Sequence, residues 1–199
     1  MRVIGAVLAA GLASPVAAEE ITSVARVYDR VVVFPVEAGF VGAFEDEQDG
    51  RYLLELVPEG ESVEDWSQMI TLSGNRGLAA EMPDPLQMAS AIGAGFQQAC
   101  PDSYQGPDEG AQEVAGAEAA HLVMFSCGDL GGYAERALIL VALSGADVFT
   151  LQWAERGPVE DASAQPDPAL WLPRGAALLG LRFCPVIDGE EPPYPSCIE

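Results

Sequence analysis

Basic residues are scarce in this 199-residue sequence, and one kind is missing altogether. There is no lysine, the nine basic residues are all arginine, and 31 aspartates and glutamates bring the formal net charge to −22. Such a negative field repels nucleic acid and anionic lipid, and it favours cationic partners or divalent ions. Solubility in a salty setting is the simpler interpretation of the acidity. We therefore expect no nucleic acid partner.

The familiar catalytic motifs are absent as well. Without lysine there is no phosphate-binding loop, and neither a G-x-S-x-G elbow nor an H-E-x-x-H motif occurs. The only histidine, His121, is interpreted as a structural or surface residue. Met124 would point to the opposite strand face, so the two cannot share a copper ion. Gly93 to Gln98 lacks the third glycine of a dinucleotide fingerprint and is interpreted as a helix packing face. We predict no catalytic, cofactor-binding or metal-ligating residue.

The four cysteines lack the C-x-x-C spacing of redox motifs and the close pairs of a zinc site. An even number in an exported chain favours two disulfides. Cys100 ends a predicted helix and Cys127 ends the next long strand, so packing of that helix on that strand would bring them together. Cys197 lies in a proline-rich tail and most simply reaches back to Cys184. The predicted bridges are Cys100–Cys127 and Cys184–Cys197.

Long apolar runs are also lacking, apart from a short one at the start. Arg2 is followed by an uncharged run from Val3 to Leu12, which is too short to cross a bilayer. Small residues then precede a cut between Ala18 and Glu19. We therefore predict a signal peptide over residues 1–18 and a single domain over residues 19–199. The product would be periplasmic or secreted, with no membrane insertion after cleavage.

The first half of the chain carries two strand signals and one helix signal. The β-branched segment Arg30–Val36 and the segment Arg51–Val57 are predicted strands that pair as a hairpin, with Ala43–Gly50 as an acidic turn. Ser62 and Asp65 have the spacing of a capping box, which predicts a short helix. The apolar face of that helix would carry Val63, Trp66 and Ile70.

The second half carries stronger signals. Asp84-Pro85 and Asp167-Pro168 each combine a helix N-cap with proline at the first helical position. Clustered strands, rather than strict alternation with helices, predict an α+β fold in which helices pack on an antiparallel sheet. The tail from Pro185 to Glu199 is predicted to be irregular and pinned by Cys197. The predicted strands are residues 121–127, 137–143, 148–153 and 182–184.

Two segments carry a resemblance to a known group of proteins. Val57–Thr71 (VPEGESVEDWSQMIT) and Ala137–Arg156, with LSGAD at its turn, are similar to segments of uncharacterised exported proteobacterial proteins. Those proteins resemble, more distantly, the α/β/α sandwich of PsbP, an extrinsic subunit of photosystem II. The resemblance implies a fold and a compartment, and it implies no catalytic residues.

These observations favour an exported, non-enzymatic accessory or binding module for an unknown protein or small ligand. One alternative is a periplasmic hydrolase that cleaves glycans with carboxylates alone. Another is a calcium-stabilised structural protein, although aligning Gly50 with an EF-hand loop places Leu56 where a glutamate is required. A concave cleft with two facing acids would favour the hydrolase, and a flat apolar patch would favour the binder. The three tryptophans, Trp66, Trp153 and Trp171, are expected in the core.

Overall fold

The computed structural model describes residues 20–198, which form one α+β domain. The predicted signal peptide and its cleavage site lie outside these residues. The strands are β1 (Glu20–Val27), β2 (Arg30–Glu37), β3 (Phe40–Gln48), β4 (Arg51–Pro58), β5 (Gln68–Asn75), β6 (Tyr104–Gln105), β7 (Asp108–Gln112), β8 (Ala119–Cys127), β9 (Ala134–Ser144), β10 (Asp147–Gly157) and β11 (Arg182–Pro185). The helices are α1 (Pro85–Ala99), α2 (Pro168–Leu179) and the short α3 (Pro195–Ile198), with a 3₁₀ turn at Leu78–Ala80.

The strands form two antiparallel sheets. The larger sheet has the order β3-β4-β5-β10-β9-β8-β6, and β7 also pairs with β8. The smaller sheet has the order β1-β2-β11. Helix α1 packs on β8 and β9, while α2 packs on β2, β9 and β10.

Two apolar cores lie on opposite faces of the larger sheet. The main core lies between that sheet, the smaller sheet and α2, and it contains Phe34, Phe149 and Trp153. The second core lies under α1 and contains Ala89 and Phe125. Helix α1 is therefore on one side, and the smaller sheet with α2 is on the other.

The central strands of the larger sheet were predicted well. Nearly every residue of β8, β9 and the first half of β10 is buried, because both faces of these strands are covered. The predicted turn between β9 and β10 is present, with Gly145 and Ala146 at its tip. A continuous apolar run is therefore the correct signal for this part of the chain.

Both proline-marked helix starts are confirmed. A carboxylate oxygen of Asp84 accepts from the backbone N–H of Leu86 at 2.9 Å, and Asp167 accepts in the same way from Ala169 at 2.9 Å. The sequence allowed a break at Pro173, but α2 continues through it. The small face of α1 lets it approach the sheet, because a Cβ on Gly93 would lie only 2.7 Å from the Phe125 ring.

The predicted hairpin between Arg30–Val36 and Arg51–Val57 is wrong. β2 pairs with β1 and β11, and β4 pairs with β3 and β5. Most of the expected acidic turn is strand β3, and the turn itself is Asp49-Gly50, where both residues have positive φ. The acidic run forms a strand because both of its faces are exposed, so that burial does not penalise its charges.

The helix predicted from the capping box is also wrong. The Ser62 hydroxyl does accept from the backbone N–H of Glu64 and Asp65, at 3.3 and 3.2 Å. These bonds close a local turn, which such side chains favour as readily as a helix start. The chain then enters β5, where Ile70 is buried between β4 and β10. Burial in the sheet outweighs the local helix signal.

The two disulfides have the pairing predicted from chain order. Cys100–Cys127 joins the end of α1 to the end of β8, with the Cα atoms 5.7 Å apart. Cys184–Cys197 joins β11 to the tail, with the Cα atoms 5.8 Å apart. The tail packs through Tyr194 on the outer face of the smaller sheet.

Candidate functional site on the open face of the sheet

Half of one face of the larger sheet is not covered by a helix. Helix α1 lies over β8 and β9, and within residues 20–198 no helix packs in the same way on β3, β4 or β5. Directly paired residues of antiparallel strands point to the same face, so the register identifies the side chains of this surface. We call it the open face. Its side chains are Val41, Phe44, Asp46 and Gln48 of β3, Arg51, Leu53 and Glu55 of β4, Thr71, Ser73 and Asn75 of β5, and Thr150 and Gln152 of β10.

The open face is bounded on three sides. Helix α1 forms one side wall, next to β9. The loop between β4 and β5 closes one end, where Trp66 packs in the second core. The 3₁₀ turn closes the other end, held by the backbone N–H of Ala79, which donates to the Ala146 carbonyl at 3.0 Å. The fourth side, along β3, is open.

The centre of the open face carries hydroxyl and amide groups. The hydroxyls of Ser73 and Thr150 lie 2.7 Å apart across β5 and β10, and Thr71 and Gln152 are half-buried neighbours. Such groups both donate and accept hydrogen bonds. The surface therefore has directional polar groups on a rigid sheet, the kind of support that holds a binding site in place.

The β3 side of the open face is partly apolar. Phe44 is 43% exposed, and Leu53 is half-buried on the neighbouring strand. Glu55 lies directly opposite Phe44, and burial raises the pKa of its carboxyl. Near the Arg51 end the surface forms a shallow concavity of about 420 Å³, which Phe44, Leu53, Ser73 and other open-face residues line. The surface thus combines apolar area with converging polar groups, as ligand sites do.

The acids at the other end of the sheet are paired with arginines. The buried Arg174 also lies over the rings of Trp171 and Trp153, at 4.6 and 5.5 Å from the ring centres. The Gln68 side-chain oxygen accepts from both Trp153 and Arg174. This network joins α2 to the sheet. Each carboxylate of the network is paired with an arginine. The ion pairs are Arg136–Glu160 (3.0 Å), Arg156–Glu135 (3.1 Å) and Arg174–Glu155.

A second cleft lies beside Trp66 and carries two acids, Glu61 and Asp65. The Arg156 guanidinium lies over the Trp66 ring at 3.8 Å. The backbone N–H and hydroxyl of Ser67 donate to Glu61 and lower the pKa of that carboxyl. A general acid needs a raised pKa, so Glu61 is unsuited to that role.

His121 lies at the start of β8, where it contacts β7. Its Nε2 is 2.6 Å from a carboxylate oxygen of Asp108, and this bond lowers the pKa of Asp108. Met124 packs in the main core, and Val123 packs in the second core on the opposite face of β8. His121 is two residues from Val123 in the strand and therefore lies on the same face as Val123. The geometry keeps the imidazole and the thioether apart, as the alternation of a strand requires.

The tryptophans and the acidic run take structural positions. Trp66, Trp153 and Trp171 are all buried, in agreement with the core positions expected for them. In β3 the carboxylates of Glu45 and Glu47 point to one face and that of Asp46 to the other. Residues 20–198 contain no group of three or more His, Cys, Asp or Glu side chains arranged to hold a metal ion.

Comparisons with known proteins identify no family. The sequence matches no family model, and no curated protein matches it. The crystal structure of LpqN, involved in cell envelope biogenesis of Mycobacterium tuberculosis, is similar with a TM-score of 0.47 and 17% sequence identity, over 83% of this chain and 92% of LpqN. In the described part of the chain, no helix has the length and apolar character needed to cross a membrane.

Sequence reasoning missed the open face because it rests on strands that the sequence did not reveal. The sequence predicts a turn for most of β3 and a helix over the start of β5. In β5 the alternation of Leu72, which is fully buried, with the half-buried Thr71 and Ser73 is a usable strand signal. In β3 every residue after Phe40 is exposed, so no such alternation marks the strand.

Proposed function

We propose that the chain is an exported, non-enzymatic binding module whose partner docks on the open face. The observation that carries this proposal is the half of the larger sheet on which no helix of residues 20–198 packs, with the half-buried hydroxyls of Thr71 and Ser73 and the exposed Phe44. Antiparallel sheets often leave one face to solvent. Here, however, α1 covers β8 and β9 on the same face and stands as a wall beside the uncovered strands. The polar groups of β5 therefore lie in a bounded recess.

Export is supported by two features. Residues 1–18 have the pattern of a signal peptide, and two disulfides tie the ends of secondary-structure elements together. Disulfides of this kind persist in oxidising compartments such as the periplasm. We propose the periplasm or the extracellular space as the location of the protein.

We also propose that the chain is related to the exported proteobacterial proteins with the PsbP-like sandwich. Support comes from the segments Val57–Thr71 and Ala137–Arg156 and from the placement of α1 and α2 on opposite faces of an antiparallel sheet. In PsbP the fold serves an accessory subunit. Because a fold does not by itself determine function, this analogy adds only to the case made by the open face.

Site-specific photocrosslinking in the native host tests the proposed surface. Leu53, in the middle of β4, is replaced by p-benzoyl-phenylalanine, and the matched control carries the same group at Leu172, which is 72% exposed on α2. We expect an adduct of defined mass from position 53 and none from position 172. Adding Thr71→Arg, which fills the recess beside position 53, should abolish the adduct while thermal unfolding stays cooperative.

Two results would refute the open face as the binding surface. One is an adduct at position 172 alone. The other is an adduct at position 53 that Thr71→Arg leaves unchanged in amount.

The hydrolase alternative depends on one group, Glu55. Among residues 20–198 it is the carboxyl group whose pKa is raised, as a general acid requires. Asp46 is its diagonal neighbour on the same face.

The test of the hydrolase alternative is release of reducing ends from the host's own envelope glycans by the purified protein. Activity that is lost in Glu55→Gln would establish the hydrolase and displace the binding module.

A further inference from the structure

Strand β3 is an edge without a partner. It is the last strand of the larger sheet, and no strand in the described residues pairs with its outer side. After Phe40, every residue of β3 is exposed. In such a strand alternate residues direct their N–H and C=O groups away from the sheet, which leaves a template for another strand.

The stretch of β3 that remains regular is Phe44–Gln48. A bulge at Ala43 shifts the register between Gly42 and Phe44, and such bulges interrupt edge pairing. Beyond the bulge the pairing with β4 is continuous, from Phe44 opposite Glu55 to Gln48 opposite Arg51. Five consecutive residues are therefore available to an incoming strand.

The side chains of this stretch differ between its two faces. Phe44 and Asp46 belong to the open face, while Glu45 and Glu47 point to the other side. Glu45 already accepts from the Tyr52 hydroxyl at 2.8 Å, and Arg76 lies 3.4 Å from Glu47. Each of these carboxylates has a second oxygen that can meet a cation.

The charges argue against a second copy of this chain as the occupant. Antiparallel pairing of two β3 strands would place Glu45, Asp46 and Glu47 opposite like charges, which is destabilising. Both molecules would also carry the same strong negative charge. An extended segment with lysine or arginine at every second position has the opposite sign and the matching spacing.

We propose that β3 recruits an extended, basic segment of a partner protein, which adds a ninth strand to the larger sheet along Phe44–Gln48. The basic side chains of the segment face Glu45 and Glu47, and its alternate side chains extend the open face beside Phe44. This proposal rests on the proposed function, because it names the class of partner that enters from the unwalled side of the open face.

The first experiment uses a capped eight-residue peptide of alternating valine and lysine. Amide hydrogen exchange of the full chain is measured with and without the peptide. We expect alternate amides within residues 44–48 to become protected, because only the outward N–H groups gain partners. The same peptide with N-methyl groups on alternate residues keeps its charge and should bind at least about tenfold more weakly, since two or more hydrogen bonds are lost.

The second experiment changes the protein and separates local charge from net charge. Glu45→Gln/Glu47→Gln should weaken peptide binding about three- to tenfold, the range for two partly exposed ion pairs. Glu109→Gln/Glu113→Gln is the matched control, which removes two exposed carboxylates on and just after β7. The control should bind within about twofold of the unchanged protein, because screening limits remote charges.

Four outcomes would overturn the proposal. If the two double variants weaken peptide binding equally, the peptide is attracted by the net charge of the protein alone. Undiminished binding of the N-methylated peptide would show that no strand is added. Protection of residues 44–48 that rises with protein concentration in the absence of peptide would identify a second copy as the occupant. If the peptide does not protect residues 44–48 while the adduct at position 53 still forms, the proposed function stands and this inference is wrong.

Discussion

The two halves of the larger sheet differ in what covers them. Strands β8 and β9 lie between α1 on one face and the main core on the other, and almost all of their residues are buried. Strands β4 and β5 contribute to the main core on one face, and no helix of residues 20–198 packs on their other face as α1 does on β8 and β9. Strand β3, at the sheet edge, is exposed on both faces after Phe40. The covered half supplies stability, and we infer that the open half supplies binding. The predictions below test that division.

The largest difference is expected between a tryptophan in the main core and an aromatic residue of the open face. Trp153 is 1% exposed, packs edge-on against Phe40 and donates from its indole N–H to Gln68 at 3.1 Å. Trp153→Ala should lower the free energy of unfolding by about 3–5 kcal/mol. Phe44→Ala should lower it by no more than about 0.5 kcal/mol. Urea titration measures both, and equal losses would show that the open half contributes to stability as the covered half does.

Removing the bridge between α1 and β8 should weaken the covered half next. The Cys100–Cys127 bridge spans 27 residues, for which chain entropy predicts a loss of about 3.5 kcal/mol in Cys100→Ala/Cys127→Ala. Hydrogen exchange should speed up in α1 and β8 and stay unchanged in β3 and β4. Faster exchange spread evenly over all strands would contradict a division of the sheet into two halves.

The buried ion pair of α2 should have a smaller effect. Arg174→Met leaves Glu155 without its cation and removes the stacking on Trp171, with a loss of about 3 kcal/mol or less because Glu155 is partly exposed. Arg174→Met/Glu155→Leu should recover most of that loss, since no charge is then left unpaired. A double variant as unstable as the single one would locate the effect in the stacking rather than in the pair.

The smallest effect concerns the pH dependence of Glu55. Burial raises the pKa of Glu55 in the folded state, so the folded protein holds this proton more tightly than the unfolded chain. The ionised form therefore lowers stability as pH rises above about 4.3, the ordinary value. Glu55→Gln should be slightly more stable than the unchanged protein at pH 7, and this advantage should vanish below pH 4.

Glu61 is the matched control for that measurement. The hydrogen bonds from Ser67 lower the pKa of Glu61, so its contribution is present above the ordinary carboxyl range and is lost as pH falls through the lowered value. Glu61→Gln should therefore be less stable at pH 7. If both variants change stability at pH 7 in the same direction, the opposite pKa shifts of Glu55 and Glu61 do not control the pH dependence of stability.

Prediction from sequence succeeded for strands that are buried on both faces and failed for β3, which is exposed on both faces. The runs at His121–Cys127 and Ala137–Leu143 are apolar on both faces, so composition alone marks them as strands. In β3, charged residues occupy both exposed faces, and composition indicates a turn. The open face was missed because its residues lie on four strands that meet only through the order of the sheet.

Short-range signals by themselves determined the helix starts after Asp84 and Asp167, the turn at Gly145, and the disulfide pairing. Each depends on a few residues that are close in the chain or on the ends of neighbouring elements. The tertiary structure decided which strands pair, that Ser62 begins a turn rather than a helix, and that no helix of residues 20–198 packs over one half of the sheet. These outcomes depend on which faces can be buried together. Segments that are distant in sequence compete for that burial, and no local sequence pattern reveals the result.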